Sequence, residues 1–191
     1  MRLHVLMTTG TDIHPDYLTG TWKLDPYHSE LSFSVKHLMI SKVKGTFGTF
    51  DVTIVTAEDL ADSTIEATID VASVNTKQKD RDAHLRTSDF FLAEEHPTIT
   101  FVSTSIAGTP DDFAVTGDLT MRGVTKQVVL KGEFGGITTD GYGQTKAGAT
   151  ATTTINRQDF GVSWNAALEA GGFTLGDDVT ITLDLQVALQ P

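Results

Sequence analysis

The sequence contains no cysteine, which excludes disulfide bonds and thiolate metal ligands. Proline, which blocks strand edges, is also sparse, with 5 in 191 residues. Basic residues are few: 14 Lys and Arg stand against 25 Asp and Glu, which gives a net charge of −11. An acidic surface argues against binding nucleic acid or an anionic membrane through overall charge, and it favours solubility.

Long apolar runs are missing as well. No window approaches the roughly 20 apolar residues that a membrane-spanning helix needs. The N-terminal apolar run at 3–7 contains His4 and is shorter than the roughly 7–15 apolar residues of a secretory signal. A small-residue cleavage site is not found after it. The sequence therefore predicts a cytoplasmic protein.

The sequence is rich in alternation of apolar and polar residues. Within 29–54, Leu31, Phe33 and Val35 alternate with polar residues, and the pattern resumes from Phe50 to Ile54. A period of two places every apolar side chain on one face of a strand. This stretch predicts two long strands joined by a turn, with one face buried and the other in water.

The same pattern recurs along the chain. Six further long strands are predicted at 63–71, 98–106, 113–121, 128–134, 147–155 and 179–189, which makes eight, and a short strand at 21–24 precedes them. The charged segment 75–91 predicts a short helix capped by Asn75 or Thr76, with Leu85 as its main buried residue. A short helical turn is predicted at 165–172. Residues 1–18 lack a sustained period and predict a loose arm, so the domain is expected to span 19–191.

Short turns between these strands indicate antiparallel hairpins and not βαβ units. Eight strands with one apolar face either close into a barrel or stack as a sandwich. Long strands, internal glycines and few prolines favour closure, so the predicted fold class is all-β, an eight-stranded antiparallel barrel with a short helical excursion. Small residues at Ala147, Ala149 and Ala151 leave two alternatives open: space for a ligand, or small side chains facing large ones in a filled core.

Motifs for catalysis are missing. The sequence has no nucleophile elbow, phosphate-binding loop, metalloprotease helix or dinucleotide fingerprint. None of the 6 histidines has a second histidine at metal-binding spacing on one helix. We therefore predict no catalytic residue, no metal and no cofactor. Residues 80–85 are dense in ionisable groups, and they form either a solvated helix with salt bridges or a polar mouth that meets a ligand headgroup.

Several ordered motifs support a resemblance to a known family. They are WKLDP at 22–26 with His28-Ser29, SFSVKH at 32–37, RDAHL at 81–85, DFF at 89–91, PTITF at 97–101, GDLT at 117–120, RGVT at 122–125 and INRQDFGV at 155–162. Through them the chain, from Thr21 to Leu189, resembles the YceI-like family, the lipocalin-like polyisoprenoid-binding proteins. The resemblance implies an elongated lipocalin-like barrel that holds a long isoprenoid or similar amphiphile in its lumen, and it does not imply an enzyme. Many relatives carry a secretory signal, and the N-terminus of this chain departs from them.

The predicted ligand-binding residues are aromatic and aliphatic side chains on the inward faces, together with three polar residues for a headgroup. The apolar residues are Phe33, Val35, Phe47, Phe50, Phe91, Phe101, Leu119, Met121, Phe160, Trp164 and Leu183. The polar residues are Arg81, His84 and Arg122, expected at one open end, where 77–86 would form a flap over the barrel mouth.

The predicted function is non-catalytic binding and transport of an isoprenoid lipid, either a polyprenyl pyrophosphate or an isoprenoid quinone. Two alternatives stay open. One is an enzyme acting on such a lipid with Arg81, Asp82 and His84 at the mouth, and the other is a structural or stress-response protein with a filled core. The expected partner is an isoprenoid lipid or similar amphiphile and not nucleic acid. A transient membrane contact and a homodimer are both compatible with this function.

Overall fold

A computed structural model describes residues 14–169 and 171–191 of the chain. Its strands are β1 (Gly20–Leu24), β2 (Glu30–His37), β3 (Ser41–Phe47), β4 (Phe50–Thr56), β5 (Thr64–Asp70), β6 (Val74–Asn75), β7 (Thr98–Thr109), β8 (Asp112–Met121), β9 (Val124–Thr139), β10 (Thr145–Asn156) and β11 (Leu175–Leu189). The α-helix α1 (Lys79–Leu85) and three short 3-10 helices, at Leu60–Asp62, Val71–Ser73 and Arg157–Phe160, lie between strands.

The strands close into an antiparallel barrel. The ring runs β1-β4-β5-β7-β8-β9-β10-β11, and β1 pairs back onto β11 with Trp22 opposite Leu189. The remaining strands extend this ring toward one end. Beyond the end of β1, β2 pairs with the same strand β11. Next to it, β3 pairs with β2, and the short strand β6 pairs with β3. The predicted fold class, an eight-stranded antiparallel barrel with one short helix, is confirmed.

Two ends of the barrel can be told apart by the segments that join the strands. The helix end carries the 38–40 turn, α1 and the segment after it, the Arg122-Gly123 turn and the 157–174 connection. The terminal end carries residues 14–19, the 57–63 connection and the turns at 110–111 and 140–144. Because neighbouring strands are antiparallel, successive connections alternate between these two ends.

The inward faces of the strands form two hydrophobic clusters. The larger cluster lies toward the helix end, where Phe160, Val71 and Val74 are almost completely buried. The smaller cluster surrounds Trp22 toward the terminal end. Gly45 allows Phe33 to lie flat on the neighbouring strand, since a Cβ at Gly45 would sit 2.5 Å from Cζ of Phe33. Internal glycines of this kind let large rings fit inside a narrow barrel.

The junction between β1 and β2 is fixed by a polar network around Asp25. Its carboxylate accepts hydrogen bonds from Lys146 Nζ at 2.7 Å, Gln186 Nε2 at 3.2 Å and the backbone N–H of Tyr27 at 3.1 Å. His28 Nδ1 lies 3.0 Å from the same carboxylate. The hydrogen bond from Lys146, supported by those from His28 and Tyr27, lowers the pKa of Asp25 from 3.8 to about 2 against the opposing effect of burial.

The helical excursion differs from the prediction in its details. α1 is capped by Gln78, whose side chain accepts from the backbone N–H of Arg81, and not by Asn75 or Thr76. Its buried residue is Asp82, while Leu85 is half-buried. The reason is a local pair: Asp82 Oδ1 accepts from the backbone N–H of Thr76 at 2.8 Å and from its hydroxyl at 2.6 Å. Thr76, one of the two predicted caps, therefore donates hydrogen bonds to a side chain of the helix and does not accept from the N-terminus of the helix.

Two further predictions meet the structure differently. The predicted helical turn at 165–172 is wrong for the residues described there, because Ala167 forms an isolated antiparallel bridge with Phe173. Of the predicted arm 1–18, residues 1–13 lie outside the described residues. Residues 14–18 contact the barrel, and Tyr17 donates its hydroxyl to the carbonyl of Ala57 at 2.7 Å.

In the described part of the chain, no helix has the length and apolar character needed to cross a membrane.

Candidate functional site

A cavity of about 560 Å³ runs along the inside of the barrel. Its walls include residues from both ends, from His14, Tyr17 and Pro110 at the terminal end to Arg81 and Trp164 at the helix end. The volume falls within the roughly 300–1,000 Å³ of typical small-molecule sites. The barrel interior is therefore a continuous elongated space and not a packed core along its whole length.

The walls of the cavity are almost entirely apolar. They follow from the period-two alternation, which turns one set of side chains inward on every strand. The polar side chains that reach the cavity are two arginines, three histidines, one tyrosine and several hydroxyls, while no Asp or Glu of the described residues lines it. In a chain with a net charge of −11, a cavity lined by cationic but not by anionic groups is electrostatically distinct from the rest of the protein.

The predicted lining residues are mostly where the alternation placed them. Those that line the cavity are Phe33, Val35, Phe47, Phe50, Phe91, Phe101, Leu119, Met121, Trp164, Leu183, Arg81 and His84. Phe160 does not line it and is instead packed in the wall of the helix end. Lining a cavity is not contact with a ligand, so the ligand-binding role of these residues stays a prediction.

Arg81 lies at the helix end, on the first turn of α1. Its Nε donates to the hydroxyl of Thr76 at 2.7 Å, and its Nη2 donates to the carbonyl of Thr76 at 2.8 Å. In the described part of the chain it forms no salt bridge with a carboxylate. The side chain is thus fixed by hydrogen bonds to Thr76, whose hydroxyl in turn donates to Asp82, and the guanidinium lies beside the cavity.

His84 stands one turn further along α1 and is held on three sides. Nε2 lies 2.7 Å from Oδ2 of Asp89, and the imidazole makes edge contacts with Phe90 and Trp164 at ring distances of 5.0 and 5.1 Å. Because an ionised carboxylate only accepts hydrogen bonds, the proton of this pair is on Nε2 of the histidine. This leaves Nδ1 outside the hydrogen bond to Asp89.

Arg122 has a different environment from the one predicted. It does not line the cavity, and its guanidinium donates to the carbonyls of Gly161 at 2.9 Å, Ser88 at 2.9 Å and Phe90 at 3.4 Å. These bonds tie the segment after α1 to the 157–174 connection. Arg122 therefore joins two segments at the helix end, and its donors point to backbone and not into the barrel.

Arg157 is a cavity residue that the sequence reasoning missed. Its guanidinium is buried and donates to the carbonyls of Gly176, Val162 and Trp164 at 2.7–2.9 Å, with Asp177 at 3.3 Å. Burial lowers the pKa of Arg157, and the charge of Asp177 opposes that effect. The alternation could have predicted this position. The odd-numbered residues of β10 face inward up to Ile155, and 157 is the next odd-numbered position.

The terminal end of the cavity is lined by residues of the 14–18 segment, which the sequence reasoning also missed. The imidazole of His14 packs edge-on against Phe134 at a ring distance of 5.2 Å. The hydroxyl of Tyr17 lies 3.1 Å from Ser63 Oγ in addition to its bond to Ala57. No periodic signal marks this segment, so only its tertiary contacts reveal it.

The described residues contain no group of three or more His, Cys, Asp or Glu side chains placed to hold a metal ion. The geometry accordingly offers an apolar tunnel, cationic donors at the helix end and a His84–Asp89 pair beside them. A closed antiparallel barrel around such a cavity belongs to the lipocalin-like class of folds.

Comparison with known proteins gives the family. The YceI-like domain model matches residues 22–187, so the chain belongs to the YceI-like family. A UPF0312 protein of Staphylococcus aureus strain MSSA476 is 43% identical over 159 residues, which cover 81% of this chain and 90% of that relative. The resemblance stated from the sequence motifs is thereby confirmed.

Solved structures agree with this assignment. The YceI protein of Campylobacter jejuni superposes with a TM-score of 0.69 at 28% identity and covers 100% of both chains. BcnA of Burkholderia cenocepacia gives a TM-score of 0.74 at 24% identity, over 85% of this chain and 98% of that one. A polyisoprenoid binding domain from Saccharophagus degradans gives 0.64 at 16% identity, over 88% and 98%. The last two show likeness of fold alone.

Proposed function

We propose that this protein is a non-catalytic binding protein that holds the tail of an isoprenoid lipid in the barrel cavity. The observation that carries the proposal is the continuous apolar cavity with cationic groups at one end and no carboxylate among its described lining residues. A long apolar chain with an electron-rich headgroup matches both features. The name of the Saccharophagus degradans neighbour, a polyisoprenoid binding domain, supports this class of ligand.

The energetics favour exchange over permanent capture. Each buried CH₂ contributes about 0.8 kcal/mol relative to water, so a five-carbon isoprene unit contributes on the order of 3–4 kcal/mol. In a cell the competing state of such a tail is a membrane, whose interior is as apolar as the cavity. Transfer between the two is close to neutral, which suits a transport protein that loads and unloads at a membrane.

The headgroup is proposed to lie at the helix end, beside Arg81 and His84. A polar headgroup that follows its tail into a protein needs hydrogen-bond partners. Arg81 keeps N–H groups that no described residue accepts, and His84 presents Nδ1. The guanidinium suits a pyrophosphate oxygen or a quinone carbonyl, whereas Nδ1, which accepts when the proton is on Nε2, suits a donating group such as a hydroxyl.

Organic extraction of the purified protein, followed by mass spectrometry, tests the proposal directly. We expect a co-purifying isoprenoid, or saturable uptake of an added polyprenyl lipid by the extracted protein. A protein that carries no amphiphile and takes up none would rule out this function. The predicted homodimer and the predicted cytoplasmic location stay predictions, and sedimentation and cell fractionation measure them.

A second candidate function is an enzyme that acts on the bound lipid. The His84–Asp89 pair favours it, since a carboxylate-oriented imidazole next to an apolar cavity has the arrangement of a general base. This alternative predicts turnover of an isoprenoid substrate that is lost in His84→Ala while the melting temperature is retained. Unchanged substrate after long incubation with the wild-type protein favours the binding function.

A further inference from the structure

The 38–40 turn at the helix end carries bulky apolar residues in an unfavourable backbone conformation. Leu38 and Met39 have φ of 51° and 62°, and the N–H of Ile40 donates to the carbonyl of His37 at 3.2 Å. Two consecutive positive φ values in a hairpin turn strongly favour Asn-Gly, because larger side chains are strained there. The hairpin would be easier to form with other residues, so the strain points to a role outside folding.

These side chains are also exposed. Ile40 is 86% exposed and Met39 62%, and Phe173, on the 157–174 connection, is 58% exposed. The two segments are adjacent, because the N–H of Leu38 donates to the carbonyl of Thr174 at 2.8 Å. We call Leu38, Met39, Ile40 and Phe173 the turn patch. Water-exposed apolar residues grouped on neighbouring loop tips are typical of an interaction surface.

The turn patch lies next to residues that line the helix end of the cavity. His37 and Thr174, which line the cavity, are the immediate chain neighbours of Leu38 and Phe173. Whatever covers the patch therefore faces the helix end of the apolar tunnel.

Basic residues flank the turn patch. Lys36 on β2 stands opposite Lys42 on β3, and Lys44 follows two residues later, opposite Ser34. All three side chains are exposed, and none forms a salt bridge with a described residue. Like charges placed directly opposite each other destabilise a strand pair, so this cluster is also unfavourable for folding. Asp177 and Asp178 lie on the neighbouring part of β11, where Asp177 accepts from Arg157 and Gln158.

We propose that the turn patch and these lysines dock the helix end onto a lipid bilayer that contains anionic lipids. Exposed apolar side chains entering the acyl boundary and lysines at the headgroup level are the two components of interfacial binding. The net charge of −11 repels an anionic surface, so binding requires the local orientation that the three lysines provide. Docking places the helix end of the cavity against the membrane. A role of docking in ligand exchange rests on the proposed function, while docking itself does not.

Flotation of the full chain with lipid vesicles tests the proposal. The vesicles are phosphatidylcholine, with or without phosphatidylglycerol, and contain no isoprenoid. Wild-type protein is expected to float with the mixed vesicles and to do so less at high salt. The triple change Leu38→Asn, Met39→Gly and Ile40→Thr is expected to weaken binding by roughly tenfold or more, since it removes most of the apolar insertion. Its Asn-Gly turn suits the backbone, so its melting temperature should not fall.

Further variants separate the two components of the surface. Phe173→Ser, on the other segment, is expected to weaken vesicle binding without altering the turn. The matched control is Tyr142→Ser, which removes a 99% exposed aromatic residue at the terminal end and should leave binding unchanged. Lys42→Gln with Lys44→Gln should reduce binding to the mixed vesicles only. Lys23→Gln with Lys131→Gln, at exposed positions away from the helix end, should not reduce it.

The outcomes are distinguishable. Failure of the wild-type protein to bind either vesicle, or equal binding by the triple variant, overturns the proposal. So does a wild-type dimer in vesicle-free solution that the triple variant converts to a monomer, because the patch is then an interface between two copies. Wild-type protein that floats with vesicles but takes up no polyprenyl lipid supports the docking surface and rules out the proposed function.

Discussion

At the scale of single residues, Arg81 and Arg122 show why side-chain chemistry alone does not locate a site. Both are arginines at the helix end, and both were assigned to a headgroup from the sequence. Arg81 lines the cavity and makes two hydrogen bonds with Thr76, whereas Arg122 donates to three backbone carbonyls outside it. The difference between the two environments depends on which distant segments of the chain meet at the helix end. The alternation of apolar and polar residues does not contain that information.

Arg81→Gln is expected to discriminate between headgroups. A hydrogen bond to a charged group contributes about 1.5–3 kcal/mol, so affinity for a pyrophosphate-headed isoprenoid should fall roughly ten- to hundredfold. Affinity for the alcohol with the same tail should change little. Titration with both ligands measures the ratio of the two affinities. Arg122→Gln is the matched control, with a lower melting temperature and no change in the ratio. Equal losses for both ligands in Arg81→Gln would make Arg81 a structural residue.

Asp25 provides a prediction on pH. Its pKa is about 2 in the folded protein against an ordinary 3.8, so the network stabilises the fold fully above 3.8. That contribution is lost as the pH falls through about 2. Asp25→Asn should lower the free energy of unfolding at neutral pH by on the order of 1–2 kcal/mol, allowing for solvent screening.

Urea unfolding of the wild type and of Asp25→Asn between neutral pH and pH 2 measures this effect. The difference between the two proteins should shrink as the pH falls from about 4 to about 2, where the wild-type carboxylate becomes protonated. Asp111→Asn, at an exposed turn, is the control. A difference that stays constant over the whole range would contradict the assignment to the ionised Asp25.

At the scale of elements, period-two alternation located the long strands, while strand length, internal glycines and few prolines favoured closure. Alternation did not show that the short strand β1 is a member of the ring, with β2 and β3 extending the positions of β1 and β4. The sequence also marked the excursion between β5 and β7, because its alternation stops there. The cap of α1 was wrong, since Thr76 and Asp82 were each read by local propensity and not as partners of each other. The 165–172 helical turn was wrong for the same reason: a bridge between Ala167 and Phe173 outweighs the local preference.

The 38–40 turn gives an element-scale prediction that is independent of any membrane. Leu38→Asn with Met39→Gly should raise the free energy of unfolding by about 1 kcal/mol, because strain at positive φ is relieved. The urea midpoint should therefore increase with an unchanged slope. Ser34→Ala, within β2 and away from the turn, controls for a general effect on the hairpin. A lower midpoint would show that the apolar side chains of the turn stabilise the fold.

At the scale of the whole molecule, the question is how much of the barrel is packed and how much is tunnel. Interior-facing Phe33, Phe50 and Leu183 are only half-buried, because they border the cavity. Phe160, which lies in the wall of the helix end, is 2% exposed. Period-two alternation does not cover Phe160, which lies in the 3-10 helix at Arg157–Phe160, and it does not show how much space lies between the inward side chains of the strands.

Truncation of phenylalanines at the two kinds of position measures that difference. Phe160→Ala should cost about 3–5 kcal/mol in the free energy of unfolding, because it leaves a new void in tight packing. Phe50→Ala should cost clearly less, since its ring already borders empty space and its removal enlarges the tunnel without creating a separate cavity. Added polyprenyl lipid should stabilise the wild-type protein in proportion to the logarithm of the lipid concentration. The same lipid should stabilise Phe50→Ala less. Costs near the upper value at Phe50, Phe33 and Phe101 alike, with no stabilisation by lipid, would mean that the barrel is a filled core and that the protein is a structural one.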